Sequence, residues 1–183
     1  MSDFNPLIPS DTVFLGDSLT ESFDLIKFFG RQKLRNQGIS GETTGDILYR
    51  LHEVIRAKPA RLFLMIGIND LYQGIPVHQV FSNIKNILGR FIRETPGTKL
   101  FVQSILPVNE PLLFTEDRLN PVIHNLNRML KDYCLKNKLI FIDLHIGFLD
   151  QNGQLGARYT YDGVHLTHEG YLLWSQLVGD YLI

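Results

Sequence analysis

Apolar residues along this chain follow two rhythms. Five short stretches look like strands, most of them near-continuous apolar runs: Thr12–Gly16, Lys33–Asn36, Leu62–Ile66, Lys99–Ile105 and Leu139–Leu144. Runs that do not alternate mark strands buried on both faces, as in a parallel sheet covered by helices. Between them the apolar positions recur at spacings of three and four. Ile47, Leu51, Val54 and Ile55 share one helical face, as do Val80, Ile84, Ile87, Leu88 and Phe91. Ile123, Leu126, Leu130 and Tyr133 form a third stripe, and Tyr171, Trp174, Leu177, Val178 and Tyr181 a last one. Strands alternating with helices predict right-handed βαβ units, and hence an α/β fold: a three-layer α/β/α sandwich around a five-stranded parallel sheet.

Local signals agree with those elements. Ser18-Leu19-Thr20-Glu21 reads as a capping box with Ser18 as the cap, Thr43 with Asp46 reads as a second, and Pro76 suits a first helical turn. The longest irregular stretch, Leu106 to Leu119, carries Pro107 and Pro111 and is expected over one end of the sheet.

Composition narrows the partners more than the fold. The 183 residues fit one domain, 1–183, with 44% hydrophobic and 20% charged residues, ordinary for a globular protein. A net charge of -1 gives no electrostatic reason to expect nucleic acid or an anionic membrane. No apolar run approaches the ~18 residues of a spanning helix. MSDFNPLIPSDT has neither a basic n-region nor an apolar h-region, and the cytoplasm is the expected location. The single cysteine, Cys134, cannot form an internal disulfide and sits among helical signals, where a buried structural thiol is expected rather than a nucleophile. A homodimer is compatible with the chain, but nothing in the sequence selects it.

Chemistry-bearing residues gather where such a sheet places its crevice, beyond the carboxyl ends of the strands. Ser18 follows the first run within VFLGDSLTES. NQGISGETT (Asn36 to Thr44) links the second run to a helix, IGIND (Ile66 to Asp70) follows the third, and YDGVHLTHEGY (Tyr161 to Tyr171) opens the last helix. Acyl transfer needs a hydroxyl nucleophile, a base to take its proton, a carboxylate to hold that base in one tautomer, and donors for the oxyanion. Ser18, His165, Asp162, Gly41 and Asn69 offer those parts from four separate loops.

GDSL at Gly16–Leu19, the glycine of SGET, GIND and DGVH resemble, in order, the block motifs of the SGNH (GDSL) esterase and lipase superfamily. Any one of them recurs in unrelated chains; four in order, each beside the right element, specify a family. The resemblance runs from about Val13 to the last helix. It implies a flavodoxin-like fold, with Ser18 as nucleophile, His165 as general base and Asp162 orienting the histidine. The family's oxyanion hole falls on the Ser18 amide, the Gly41 amide and the Asn69 side chain. It implies no metal and no cofactor. FIDLHIGFLDQNG and the residues up to Tyr171 look like the intracellular platelet-activating-factor acetylhydrolase branch, which suggests a small-molecule ester with a short, acetyl-sized acyl group.

Each residue also has a plainer reading. Ser18 could only cap a helix, Gly41 could only fill a positive-φ turn, and Asn69 could cap the Gly67–Asp70 turn. Asp70 is expected to satisfy loop amides. Asp162, His165 and His168, three apart, could hold a metal, although the other histidines are scattered. Two rival functions use the same motifs: a lysophospholipase or thioesterase on this machinery, and a catalytically silent module that binds acylated glycans. The leaving group would be chosen by Leu71–Gln79 and Leu106–Leu119, and the few large apolar residues of the latter (Leu106, Leu112, Leu113 and Phe114) argue for a shallow acyl site.

Overall fold

A computed structural model describes residues 7–30, 33–113 and 118–182. Strands β1 (Thr12–Gly16), β2 (Leu34–Gly38), β3 (Arg61–Met65), β4 (Lys99–Gln103) and β5 (Ile140–Ile142) form one sheet in the order β2-β1-β3-β4-β5. Every pairing is parallel. This is the flavodoxin-like order, whose direction of winding reverses between β1 and β3.

The helices are α1 (Ser18–Glu21), α2 (Leu25–Phe29), α3 (Thr44–Ala57), α4 (Ile68–Tyr72), α5 (Val77–Glu94), α6 (Leu119–Asn137), α7 (His145–Phe148) and α8 (His168–Gly179). Two cores explain why the strands read as unbroken apolar runs. Val13, Leu15, Leu62, Leu64, Leu100 and Val102 point to the layer of α3, α5 and α6. Phe14, Phe63 and Phe101 point the other way, to α1, α2, α7 and α8. These three rings stack across β1, β3 and β4 with centroids 4.6 and 4.3 Å apart. A strand with both faces covered has no polar position to alternate with.

The expected strands are all present, with shifted ends. β2 runs on to Gly38 rather than stopping at Asn36, because as an edge strand it is half-buried and carries the polar sequence LRNQG. β4 stops at Gln103, two residues short of Ile105, since the Ile105 amide turns away to the Asn127 side chain at 2.8 Å. β5 keeps only Ile140–Ile142; the Leu139 amide bonds back to Cys134 and ends α6. Tyr181 lies past the end of α8 in a 3₁₀ turn, Asp180–Leu182, so it leaves the predicted stripe and Leu182 is buried instead. Three short helices, α2, α4 and α7, were not predicted. Four or five residues carry too little of a 3.6-residue period to announce a helix.

The described parts of Leu106–Leu119 are tied down by side-chain hydrogen bonds. Asn120 brackets Val108, accepting from its amide (2.9 Å) and donating to its carbonyl (2.8 Å), and Asn109 donates to the Leu155 carbonyl. Glu110–Leu112 forms a 3₁₀ turn. Phe114 lies outside the described residues. Cys134 is fully buried on α6, and burial pushes its thiol up to about 12. Among the described residues, no helix is long and apolar enough to cross a membrane.

Candidate active site

β1 delivers its last residues into a turn with no spare room. A Cβ on Gly16 would lie 2.2 Å from Thr20 Oγ1 and 2.4 Å from the Met65 carbonyl, so only glycine lets β1 pass β3 and enter α1 here. The cap of α1 is Asp17, not Ser18 as the capping-box reading expected. The Asp17 carboxylate accepts from the Leu19 amide at 3.0 Å, and Ser18 is the first helical residue. Aspartate and serine cap equally well, so the adjacent pair is ambiguous until the chain path is known. Glu21, the supposed partner of that box, instead binds the Ser40 amide and hydroxyl. Asp17 is fully buried, and that desolvation pushes its carboxyl up to about 7 against the pull of its backbone hydrogen bonds. Asn36 of β2 secures the far side of the turn, donating to the carbonyls of Thr20 (2.6 Å) and Phe23 (3.0 Å).

Ser18 meets the turn that precedes α8. Its Oγ lies 3.0 Å from His165 Nε2, and His165 Nδ1 lies 2.6 Å from Asp162 Oδ2. The other Asp162 oxygen accepts from the Val164 amide (2.9 Å) and the His165 amide (2.7 Å). Burial pulls the Asp162 carboxyl upward, but the hydrogen bonds from the His165 ring and these two amides outweigh it and hold the carboxyl below its usual value. A carboxylate only accepts, so Nδ1 carries the proton and Nε2 presents a lone pair to the serine hydroxyl. Thr160 braces this turn, donating to the His165 carbonyl at 2.8 Å and accepting from the Gly163 amide at 2.9 Å. Thr167 caps α8.

Gly41 and Asn69 approach from the other side of the winding reversal. Gly41 sits at φ +80, a left-handed conformation, with open space where a Cβ would be; backbone geometry rather than crowding calls for glycine. Asn69, on α4 just beyond β3, does not cap its own turn. Its amide nitrogen reaches across to the Glu42 carbonyl at 2.8 Å. Asp70 is structural as expected, but it satisfies the start of α3 rather than a loop: it accepts from the Thr44 amide at 2.9 Å and from the Thr44 hydroxyl. Asn83 of α5 donates to that same hydroxyl at 2.9 Å.

The structure thus brings Ser18, His165 and Asp162 into one hydrogen-bonded line, and sets Gly41 and Asn69 on the adjoining loops. It does not bring His168 to them. That ring is exposed at the start of α8 and stacks on Phe28, with centroids 5.6 Å apart. No group of three or more His, Cys, Asp or Glu side chains suited to a metal occurs among the described residues. Sequence reasoning missed Asn36, Glu42 and Arg50. Arg50 offered one signal: seven residues after the Thr43 cap, it lies on the helix face beneath the loop that cap ends. A line of hydroxyl, imidazole and carboxylate beside amide donors can transfer an acyl group through a serine.

Known proteins resemble this chain in both sequence and shape. It is 30% identical over 165 residues to an N-acylneuraminate cytidylyltransferase from Streptococcus agalactiae, matching 90% of this chain but only 37% of that enzyme's length. It is 26% identical over 171 residues to the platelet-activating factor acetylhydrolase IB subunit alpha2 of Gallus gallus, covering 88% of this chain and 71% of the relative. A provisionally named platelet activating factor from Streptococcus pneumonia superposes with a TM-score of 0.87 at 32% identity, over 96% of this chain and 85% of the other. The GDSL-like Lipase/Acylhydrolase family model matches residues 14–173. That span takes in the Ser18, Gly41, Asn69, Asp162 and His165 loops together, and the chain belongs to the GDSL-like lipase/acylhydrolase family.

Proposed function

We propose that this protein is a serine esterase that cleaves small carboxylic esters with short, acetyl-sized acyl groups. The observation that carries the reading is the unbroken line from Ser18 Oγ through His165 to Asp162, at 3.0 and 2.6 Å. Ser18 Oγ attacks the ester carbonyl carbon while His165 Nε2 takes its proton. Asp162 keeps the ring in the required tautomer and offsets the charge it gains. The carbonyl oxygen becomes an oxyanion facing the Ser18 amide, the Gly41 amide and the free N–H of Asn69. Collapse of that intermediate breaks the carbon–oxygen bond to the alcohol, which leaves with the proton from His165. Water then attacks the acyl-serine, with His165 as base, and releases the acid. All parts come from this chain, and no step calls on a metal or cofactor.

The short acyl preference draws on two supports. A relative at 26% identity is named as an acetylhydrolase. Within the described part of Leu106–Leu119, the exposed apolar side chain is Leu112, at 44%, while Leu106 is buried in the core. Each buried methylene contributes about 0.8 kcal/mol only where apolar wall surrounds it, so a site with little wall gains nothing from a long chain.

The test pairs a serine-directed phosphonate with p-nitrophenyl esters. Wild-type protein should be labelled at Ser18 and show a burst of p-nitrophenol, and Ser18→Ala should abolish both. Across acetyl, butyryl and octanoyl esters, with acetylated sugars alongside, kcat/KM should fall with acyl length. A steady rise would make the protein a lysophospholipase, and absence of labelling would remove the serine mechanism.

A further inference from the structure

We propose that Arg50 is the positioning residue of the oxyanion site: its guanidinium clasps both ends of the loop that carries Gly41 and, through Glu42, aims the Asn69 amide. This rests on the reading of Gly41 and Asn69 as oxyanion donors.

The clasp is visible in four contacts. Arg50 Nε donates to Glu42 Oε1 and Nη2 to Glu42 Oε2, each at 2.6 Å. The same Nη2 donates to the Gln37 carbonyl at 2.7 Å. Gln37 is the penultimate residue of β2 and Glu42 precedes the cap of α3, so one rigid group closes the chain from Gln37 to Glu42 like a buckle. The fourth contact leaves the loop: the Glu42 carbonyl accepts from Asn69 Nδ2 at 2.8 Å. The Arg50 and Glu42 side chains are only 15% and 11% exposed, so the pair is shielded from the screening that makes surface pairs weak.

Among the described residues, few other contacts hold these two donors. Gly41 occupies a left-handed conformation with nothing packed against it. Asn69 is the second residue of a five-residue helix whose cap, Gly67, has no side chain to contribute. The neighbouring contacts serve the flanks: Glu21 holds Ser40, and Thr43 and Asp46 form the capping box of α3. Lysine could not replace the arginine, because a single ammonium lacks the planar fork that spans two carboxylate oxygens and a carbonyl.

The experiment uses Arg50→Lys and, as a gentler variant, Glu42→Gln, which keeps the backbone carbonyl that Asn69 needs. Two readouts are taken on each. In steady-state kinetics with p-nitrophenyl acetate, either variant should lower kcat about tenfold or more with KM little changed, the signature of lost transition-state contacts. Combining Arg50→Lys with Asn69→Ala should cost less than the product of the two single effects, because both act on one donor. In ¹H–¹⁵N spectra, the Gly41 backbone amide and the Asn69 side-chain amide should shift or broaden, while amides in α5 and α6 stay in place. Unmoved Gly41 and Asn69 resonances, or full multiplicativity with Asn69→Ala, would overturn the proposal. The spectra report on positioning even in a protein without esterase activity, so failure of the esterase reading would show separately, as a wild type that Ser18→Ala does not alter.

Discussion

Asn69 donates one side-chain N–H to the Glu42 carbonyl at 2.8 Å, and a primary amide has two to give. The bond to Glu42 fixes the plane of the amide, and in the proposed mechanism the second N–H serves a developing oxyanion. Asn69→Ala is expected to lower kcat by roughly 10²–10³ with little change in KM. Steady-state kinetics on an acetyl ester decide it, and a change confined to KM would make Asn69 a ground-state contact.

Two glycines should fail in different ways. Gly16→Ala drives a Cβ to 2.2 Å from Thr20 Oγ1 and 2.4 Å from a backbone carbonyl, and should destabilise the fold by about 3 kcal/mol. Gly41→Ala meets open space and pays only for a left-handed backbone, about 1 kcal/mol. Urea denaturation should therefore rank Gly16→Ala as the less stable variant. Activity measured well below either transition should still be lost in Gly41→Ala, since relief of the strain turns the Gly41 amide.

Asp17 should make stability depend on pH. Burial raises its carboxyl from 3.8 to about 7, so the folded chain holds a proton that the unfolded chain has released across that window. Its contribution is complete below about pH 3.8 and lost as pH rises through about 7. Asp17→Asn keeps an acceptor for the Leu19 amide and cannot ionise. The stability of the variant minus that of wild type should climb between pH 4 and pH 8, as read from urea midpoints. A flat difference would mean that Asp17 titrates alike in both states. Asp162 is shifted the other way, downward, so it contributes stability at neutral pH that is lost in acid, and it leaves this difference unchanged.

The metal alternative makes its own demand. Both Asp162 oxygens are occupied by His165 and by two amides, and the His168 ring lies against Phe28. Hydrolysis should survive prolonged EDTA, and His168→Ala should leave kcat within about twofold. Activity lost to EDTA and restored by Zn²⁺ would reverse this assignment.

Which parts could be read from residues alone depended on how local the cause was. The Phe14, Phe63 and Phe101 runs announced central strands because burial on both faces leaves its mark in consecutive positions. The Thr43–Asp46 capping box was equally readable, as its partners are three residues apart. The ends of the edge strand β2 were harder to read because solvent on one side lets polar residues in. The cap of α1 was read as Ser18 where the structure has Asp17, since adjacent Asp and Ser both suit the position and only the chain path separates them. The contacts of Arg50 with Gln37 and of Asn69 with Glu42 span 13 and 27 positions and depend on where loops come to rest. No spacing rule encodes such pairs.

β1 and β3 lie side by side, with Gly16 opposite Met65 in the hydrogen-bonded register. Ser18 and Asn69 each follow one of these strands by a few residues, so their separation descends from the spacing of neighbouring strands, about 4.8 Å in any sheet. A dimension shared by all pleated backbones thereby acts as the ruler for these two side chains. The described part of Leu106–Leu119 follows β4 and plays no part in that measurement. Under the proposed esterase reading, evolution or an engineer can change residues outside the two strands to suit a new alcohol while the ruler keeps its length.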